Sequence, residues 1–228
     1  MFEKGKLKKV YIEAIDCKLE KAKASYEIAK NDTIEAEGRM VTRYDSSKTE
    51  TAWLADGRLK EMKELEQYIN KLQENKVYAN IGDTIFVDLL INKEYQKTER
   101  FILTRTGNEK ISDKLLEALI GSLVGDVVVI EDDGQYLQYQ IREIQKGGST
   151  GTASIESVVT LSDEYNSKEI YYIVNYIGGM EIEIDGESIF CISKHTPLAM
   201  KLLGRRKGDR VVISNETGIE MVIDELEE

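Results

Sequence analysis

Histidine occurs once in the 228 residues, at His195, and cysteine twice, at Cys17 and Cys191. A Ser-His-Asp or Cys-His nucleophilic site would have to be built on that one imidazole. Two distant cysteines, neither in a CxxC, and one histidine leave too few soft ligands for a zinc site. HExxH, GxGxxG and the phosphate-loop pattern GxxxxGK are all absent. Carboxylates are abundant, with 42 Asp+Glu, so a carboxylate site is the one enzymatic chemistry the composition leaves open.

Asp45 and Glu50 stand out by position. They lie in and just after the stretch RMVTRYDSSK, residues 39–48, which holds Arg39, Arg43, Tyr44, Asp45 and Lys48. That stretch has three basic residues and one acid, a local charge of +2. Ser47-Lys48-Thr49-Glu50 is a capping box, in which the Ser47 hydroxyl accepts from the Glu50 N–H and the Glu50 carboxylate reaches back. Helix capping is therefore the plain role of Glu50. Trp53 and Tyr44 flank the same stretch, and packing across neighbouring helices is their commoner use, partner contact the other. At the far end of the chain, Thr196 caps a helix and Pro197, the single proline, fills its first turn, where a missing N–H costs nothing. His195 is expected at the surface there, not as a catalytic base.

The elements that would position these residues follow from periodicity. Residues 4–37 contain no proline and no glycine after Gly5 and are rich in Ala, Lys, Glu and Leu. Apolar or small residues recur at Leu7, Val10, Ala14, Cys17, Ala24 and Ile28, interrupted by Lys21, and Gly38 is a natural stop. A second helical run, residues 47–75, carries Ala55, Met62, Leu65, Ile69 and Leu72, with Gly57 as a local weakness. Two such stripes joined by a short connection predict an antiparallel coiled-coil hairpin over residues 1–76. Each arm of about 30 residues reaches on the order of 45 Å. Dimerisation and a rod that carries its tip to a partner are both compatible with the periodicity.

The remainder repeats. Residues 112–144 align on residues 195–226, with Gly121 on Gly204, Gly125 on Gly208 and Asp126 on Asp209. Leu115, Leu119, Val128 and Ile130 fall on Leu198, Leu202, Val211 and Ile213. Each copy reads as a short amphipathic helix ending at glycine, a Gly-Asp turn, and a β-hairpin. Strands precede both helices: residues 84–91 and 99–105 in the first copy, and 157–161, 170–176, 181–184 and 188–192 in the second, which is longer by a hairpin. Residues 145–154, QKGGSTGTAS, read as a flexible linker. The expected class is α+β, with small sheet-plus-helix domains at 77–147 and 155–228.

Charge is unevenly spread. Residues 1–75 sum to zero, so the formal net charge of -11 belongs wholly to residues 76–228. An acidic body is a poor match to a phosphate backbone, so stable direct DNA binding is not expected. A protein partner with basic patches fits it, as does plain solubility. No apolar run approaches the roughly 20 residues of a membrane span. The charged N-terminus lacks a signal core, and reduced cysteines suit the cytoplasm, which is the expected location.

The segment IFCISKHTPLAMKLLGRRKGDRVVI, residues 189–213, resembles the signature of the bacterial GreA/GreB transcript cleavage factor family, I-S-x-x-S-P followed by a helix and G-x-x-x-G-D-x-V, with Thr196 in place of the serine. The second copy is similar to that family's FKBP-like C-terminal domain in length and order, and the helical hairpin is similar in length and composition. The middle domain has no counterpart in the family layout and looks like a shortened duplicate. The resemblance implies a monomer that binds bacterial RNA polymerase near its secondary channel, with His195, Thr196 and Pro197 in the docking loop. It implies a hairpin entering the channel, and two tip acids helping to hold a Mg²⁺ that belongs to the polymerase active site. The protein itself would then be no enzyme and would carry no cofactor of its own. Hard oxygen ligands suit that ion.

The tip departs from the family pattern. Cleaving members carry an acidic pair three residues apart, whereas Asp45 and Glu50 are five apart and Lys48 occupies the position three after Asp45. A cation beside this basic cluster loses attraction that an acidic pair would supply. The expectation is polymerase binding with weak or absent cleavage stimulation, the tip occluding the channel or meeting phosphates through Arg39 and Arg43. The alternative is an interaction scaffold, dimerised by its coil and unrelated to polymerase. A prolyl isomerase is disfavoured, because a fold alone carries no activity and four Phe and one Trp build no evident aromatic pocket.

Overall fold

The computed structural model describes residues 4–37, 47–73, 79–81, 83–91, 94–103, 112–132, 134–145, 151–165, 167–213 and 219–227. The chain divides into a helical unit, Phe2–Asn75, and a body, Lys76–Glu228. The architecture is mixed helix and sheet, with the long helices N-terminal. None of the described helices is long and apolar enough to cross a membrane.

The helical unit holds α1 (Lys4–Glu37) and α2 (Ser47–Gln73). They pack on each other, and Lys23 pairs with Glu66 across them at 4.0 Å. The buried face of α1 is Leu7, Tyr11, Ile15, Leu19 and Ala22. This differs from the expected stripe beyond Leu7: Cys17, Ala24 and Ile28 are exposed. The bulky side chains set the face. Tyr11, Ile15 and Leu19 remove far more apolar surface from water than Ala14 and Cys17 would. In α2 the expected Leu65, Ile69 and Leu72 are buried, and Ala55 and Met62 are half-buried. Trp53 is 74% exposed and does not pack across the pair.

The body contains the repeat in three dimensions. The first copy comprises β1 (Thr84–Ile91), β2 (Glu94–Ile102), α3 (Asp113–Leu119), β3 (Val127–Asp132) and β4 (Gln135–Gln145). The second comprises β5 (Val158–Ser162), β6 (Lys168–Val174), β7 (Met180–Ile184), β8 (Glu187–Ser193), α4 (Pro197–Leu202), β9 (Arg210–Val212) and β10 (Glu220–Glu227). The first sheet runs β2-β1-β4-β3 and the second β7-β8-β6-β5-β10-β9. With the β7-β8 hairpin set aside, the two orders coincide strand for strand. That hairpin joins by a parallel pairing of β8 with β6, while its own two strands pair antiparallel.

The equivalence extends to single hydrogen bonds. Ser112 accepts from the N–H of Leu115, and Thr196 from that of Ala199. Asp126 accepts from the N–H of Leu123, and Asp209 from that of Arg206, both at 2.9 Å. Gly125 and Gly208 donate to Ile141 and Ile223, both at 2.8 Å, with φ of 92° and 89° that only glycine adopts without strain. Gly121 donates to Ala79 and Gly204 to Ala153.

This last pair changes the reading of residues 145–154. Ala153 also donates to Arg205 at 2.7 Å, and Thr152 bridges Arg206. Thr152–Ser154 is therefore no free linker but is held beside the end of α4, with Ala153–Ser154 the counterpart of Ala79–Asn80. Its small residues serve close backbone approach, a use that composition does not separate from flexibility. Residues 146–150 lie outside the described residues.

Each copy has its own core. One gathers Ile85, Val87, Leu103, Leu119 and Ile141, the other Val159, Leu161, Ile173, Leu202 and Ile223. They are not independent, because Ile120 and Leu123 of the first copy belong to the second core and Ile81 and Leu116 pack against it.

Candidate partner-binding site

His195, Thr196 and Pro197 form one built loop. β8 ends at Ser193, whose carbonyl accepts from both the Thr196 N–H and the Thr196 hydroxyl at 2.9 Å. The same Thr196 oxygen accepts from Ala199 N–H at 3.2 Å, and Pro197 occupies the first turn of α4. Cap and proline thus fix the loop from below. His195 and Pro197 are exposed at its crest. Partial burial and the neighbouring Lys194 ammonium hold the His195 imidazole below its ordinary pKa, against the opposing pull of Glu117. The loop therefore presents a neutral imidazole at neutral pH.

Lys194, the residue before, turns the opposite way. It is buried, and its ammonium donates to the carbonyl of Ile120 at the end of α3. Burial lowers its pKa to about 8, with Asp126 pulling it up. Beside it Asn175 donates to the carbonyl of Gly121 at 2.8 Å, and Asn80 accepts from Ile155 N–H at 3.0 Å. The His195–Pro197 loop is thus anchored on the seam between the copies. A buried lysine inside the family-like stretch was the missed signal. Lys194 sits between the apolar β8 and the capped helix, and among the described residues it is the one buried lysine.

The tip is placed only in part. Arg39, Arg43, Tyr44 and Asp45 lie outside the described residues, as does Gly38. Lys48 and Glu50 lie in the first turn of α2, where the Glu50 carboxylate complements the helix dipole. Among the described residues no three His, Cys, Asp or Glu side chains gather in a way that could hold a metal. Cys191 is buried and its thiol is pushed up to about 12 by that burial, which leaves it unreactive.

Residues 148–225 match the sequence model of the family described as "Transcription elongation factor, GreA/GreB, C-term". Residues 148–225 are thus similar to the C-terminal domain of the GreA/GreB family. The matched segment covers the second copy from its Thr152 edge strip into β10, and so includes the His195–Pro197 loop. The first copy and the helical unit lie outside it. No curated protein matches the chain. Among solved structures, the GreA factor homolog 1 (Gfh1) of Thermus thermophilus is similar at 16% identity, over 59% of this chain and 94% of that one, with a TM-score of 0.26. A structure of the transcription factor Gfh1 aligns over 95% of this chain and 93% of that one, at 15% identity and a TM-score of 0.29. Gfh1 of Thermus aquaticus aligns over 60% and 95%, at 17% identity and 0.26. The match of residues 148–225 supports a transcription elongation factor-like role.

Proposed function

We propose that the protein binds bacterial RNA polymerase in the cytoplasm, as a monomer, and modulates transcription without being an enzyme. Its FKBP-like C-terminal domain docks at the mouth of the secondary channel through His195, Thr196 and Pro197. Its N-terminal helices form an antiparallel coiled-coil hairpin whose tip enters the channel. The observation that carries this reading is the family match over residues 148–225, within which the His195–Pro197 loop is exposed yet rigidly capped.

Chain geometry supports the hairpin. The 34 residues of α1 extend over about 51 Å, and the nine residues between Glu37 and Ser47 span at most ~36 Å. A parallel α2 would have to begin at the far end of α1, beyond that reach. The Lys23–Glu66 pair and the burial of early α1 residues with late α2 residues agree with antiparallel arms.

The tip stimulates transcript cleavage weakly or not at all. Lys48 follows Asp45 by three residues where a second acid would be required, and Glu50 belongs to the first turn of α2. No Mg²⁺ is therefore recruited by this protein, and the basic tip acts on the channel itself or on phosphates within it. The test is a purified chain with core RNA polymerase. Binding that protects the secondary channel, without RNA shortening in stalled complexes, is the expected result. Failure to bind core polymerase removes the reading. Robust Mg²⁺-dependent cleavage that is lost in Asp45→Ala removes the part concerning the tip.

A further inference from the structure

Among the described residues the body has four sheet edges, and three are defended in the ways that keep edge strands from pairing with other chains. β2 carries Lys97, Glu99 and Arg100, with Lys97 and Glu99 paired at 2.6 Å, and the register shifts between Leu89 and Leu90 of its neighbour. β7 points Glu181 and Glu183 outward. β9 is three residues long and points Arg210 outward, paired with Glu220.

β3 is different. It is six residues of VVVIED at the end of its sheet, and among the described residues no strand pairs with its outer edge. Val128 and Ile130 face the core, while Val127 and Val129 are 53% and 52% exposed. Val124, in the turn before, is exposed too, as is Tyr136 on β4. The internal repeat supplies the control. Val124 and Val127 occupy the positions of Lys207 and Arg210 in the second copy. The same backbone therefore accepts charge at both positions, and the apolar choice in the first copy is not imposed by the fold.

We propose that the outer edge of β3 receives an extended segment of another protein, β-branched at alternate positions and flanked by Lys or Arg, which adds a strand to the first sheet. Main-chain pairing would supply affinity, and Val127 and Val129 would receive the alternate side chains. Charge selects the flanks. Exposed Asp126 stands at one end of the strand and exposed Glu131 at the other, in a body that carries the whole negative charge of the chain. A second copy of this chain fits poorly for the same reason. Two-fold antiparallel pairing would set side by side two strands that each carry acids at both ends and no base, which like-charge repulsion disfavours.

The inference does not rest on the polymerase reading. The probe is a fluorescent synthetic nonapeptide, Lys-Lys-Val-Thr-Val-Thr-Val-Lys-Lys, titrated against the full chain by anisotropy, beside a version with Glu in place of every Lys. The Lys-flanked peptide is expected to bind at least about tenfold more tightly, more weakly as salt rises, and to slow hydrogen exchange at the amides of residues 127–131. Val127→Lys with Val129→Lys is expected to abolish binding. Val127→Arg alone, which copies the residue the fold already accepts at Arg210, is expected to weaken it several-fold with an unchanged melting temperature. Equal affinity for the two peptides, protection mapping away from β3, or unchanged binding by Val127→Arg would overturn the proposal. So would a dimer of the unmodified chain that Val127→Arg dissociates, since the occupant would then be a second copy. The variants keep the docking loop intact, so core polymerase binding reports separately on the other reading.

Discussion

Asn175 donates its side-chain amide to the backbone carbonyl of Gly121 over 2.8 Å, across the seam between the two copies. Its other side-chain atom, Oδ1, is buried, has no hydrogen-bond partner among the described residues, and lies against the Gly121 α-carbon. A Cβ on Gly121 would come within 2.2 Å of that oxygen and 2.9 Å of the Lys194 side chain, on a backbone with φ of 75°. Gly204, its repeat partner, would meet Ile81 at 2.9 Å with φ of 78°, whereas Gly125 has φ of 92° and open space around it.

These three glycines therefore separate strain from packing. Gly125→Ala should cost about 1 kcal/mol from the left-handed backbone alone. Gly121→Ala adds overpacking of a polar seam, for a total of about 2–4 kcal/mol. Gly204→Ala should fall between them, because an isoleucine methyl can yield by a small rotation. Urea unfolding of the full chain, followed through the body's transition, gives the order. A Gly125→Ala loss equal to that of Gly121→Ala would show that the seam is not tightly packed.

Lys194 gives the seam a pH signature. Its folded pKa of about 8 lies below the ordinary 10.5. Between those values the unfolded chain binds more protons than the folded one, so stability rises with pH. Below about pH 7 both states are protonated, and the cost of the buried ammonium is present in full. The stability of the native protein minus that of Lys194→Met should be flat to about pH 7 and then climb by roughly 2–3 kcal/mol towards pH 10.5. Denaturant midpoints of the two proteins across that range provide the check. A difference that falls with rising pH would mean the ammonium is net stabilising where it lies.

The repeat was legible because turns need particular residues. Gly121, Gly125 and Asp126 and their partners Gly204, Gly208 and Asp209 mark left-handed and hydrogen-bonding positions that few residues can occupy. Strands alternating around them follow, and β1 has the bounds expected from the sequence. The α1 face was not legible from spacing alone. Its small residues form a second stripe beside the bulky one, and burial follows area. Nor was the seam legible. Asn175, Lys194 and Asn80 act on backbone atoms 54 to 75 residues away, and backbone acceptors leave no mark in side-chain pattern. The cap at Thr196 and Pro197 was legible because local capping is written in adjacent residues.

In that loop, the helix cap and the proposed polymerase contact belong to different side chains, which allows them to be separated. Thr196→Ala removes the acceptor for Ala199 N–H and should cost about 1 kcal/mol of stability. His195→Ala removes an exposed imidazole and should leave the melting temperature unchanged, since surface substitutions of this kind stay within about 0.5 kcal/mol. Its expected effect is on core polymerase, a loss of affinity of about tenfold, the cost of removing one interface contact worth ~1.4 kcal/mol. Surface-immobilised polymerase titrated with each variant distinguishes the two. Unaltered binding by His195→Ala would move the docking site off this loop.

The tip can be tested by restoring what it lacks. Lys48→Glu places an acid three residues after Asp45 and changes the local charge of residues 39–48 from +2 to zero. A carboxylate pair in that spacing offers hard oxygen ligands to a shared Mg²⁺, whose remaining shell is water and phosphate. The substitution also puts a negative charge in the first turn of α2, where the helix dipole favours it, so the helix should gain about 0.3–1 kcal/mol at low salt. Stalled polymerase complexes with the unmodified protein should retain full-length RNA, while Lys48→Glu should shorten it in a Mg²⁺-dependent way. The double change with Asp45→Ala should return to the unmodified behaviour. Cleavage by the unmodified protein at the rate of Lys48→Glu would show that the spacing of Asp45 and Glu50 already suffices, and that the lysine between them is no barrier to the ion.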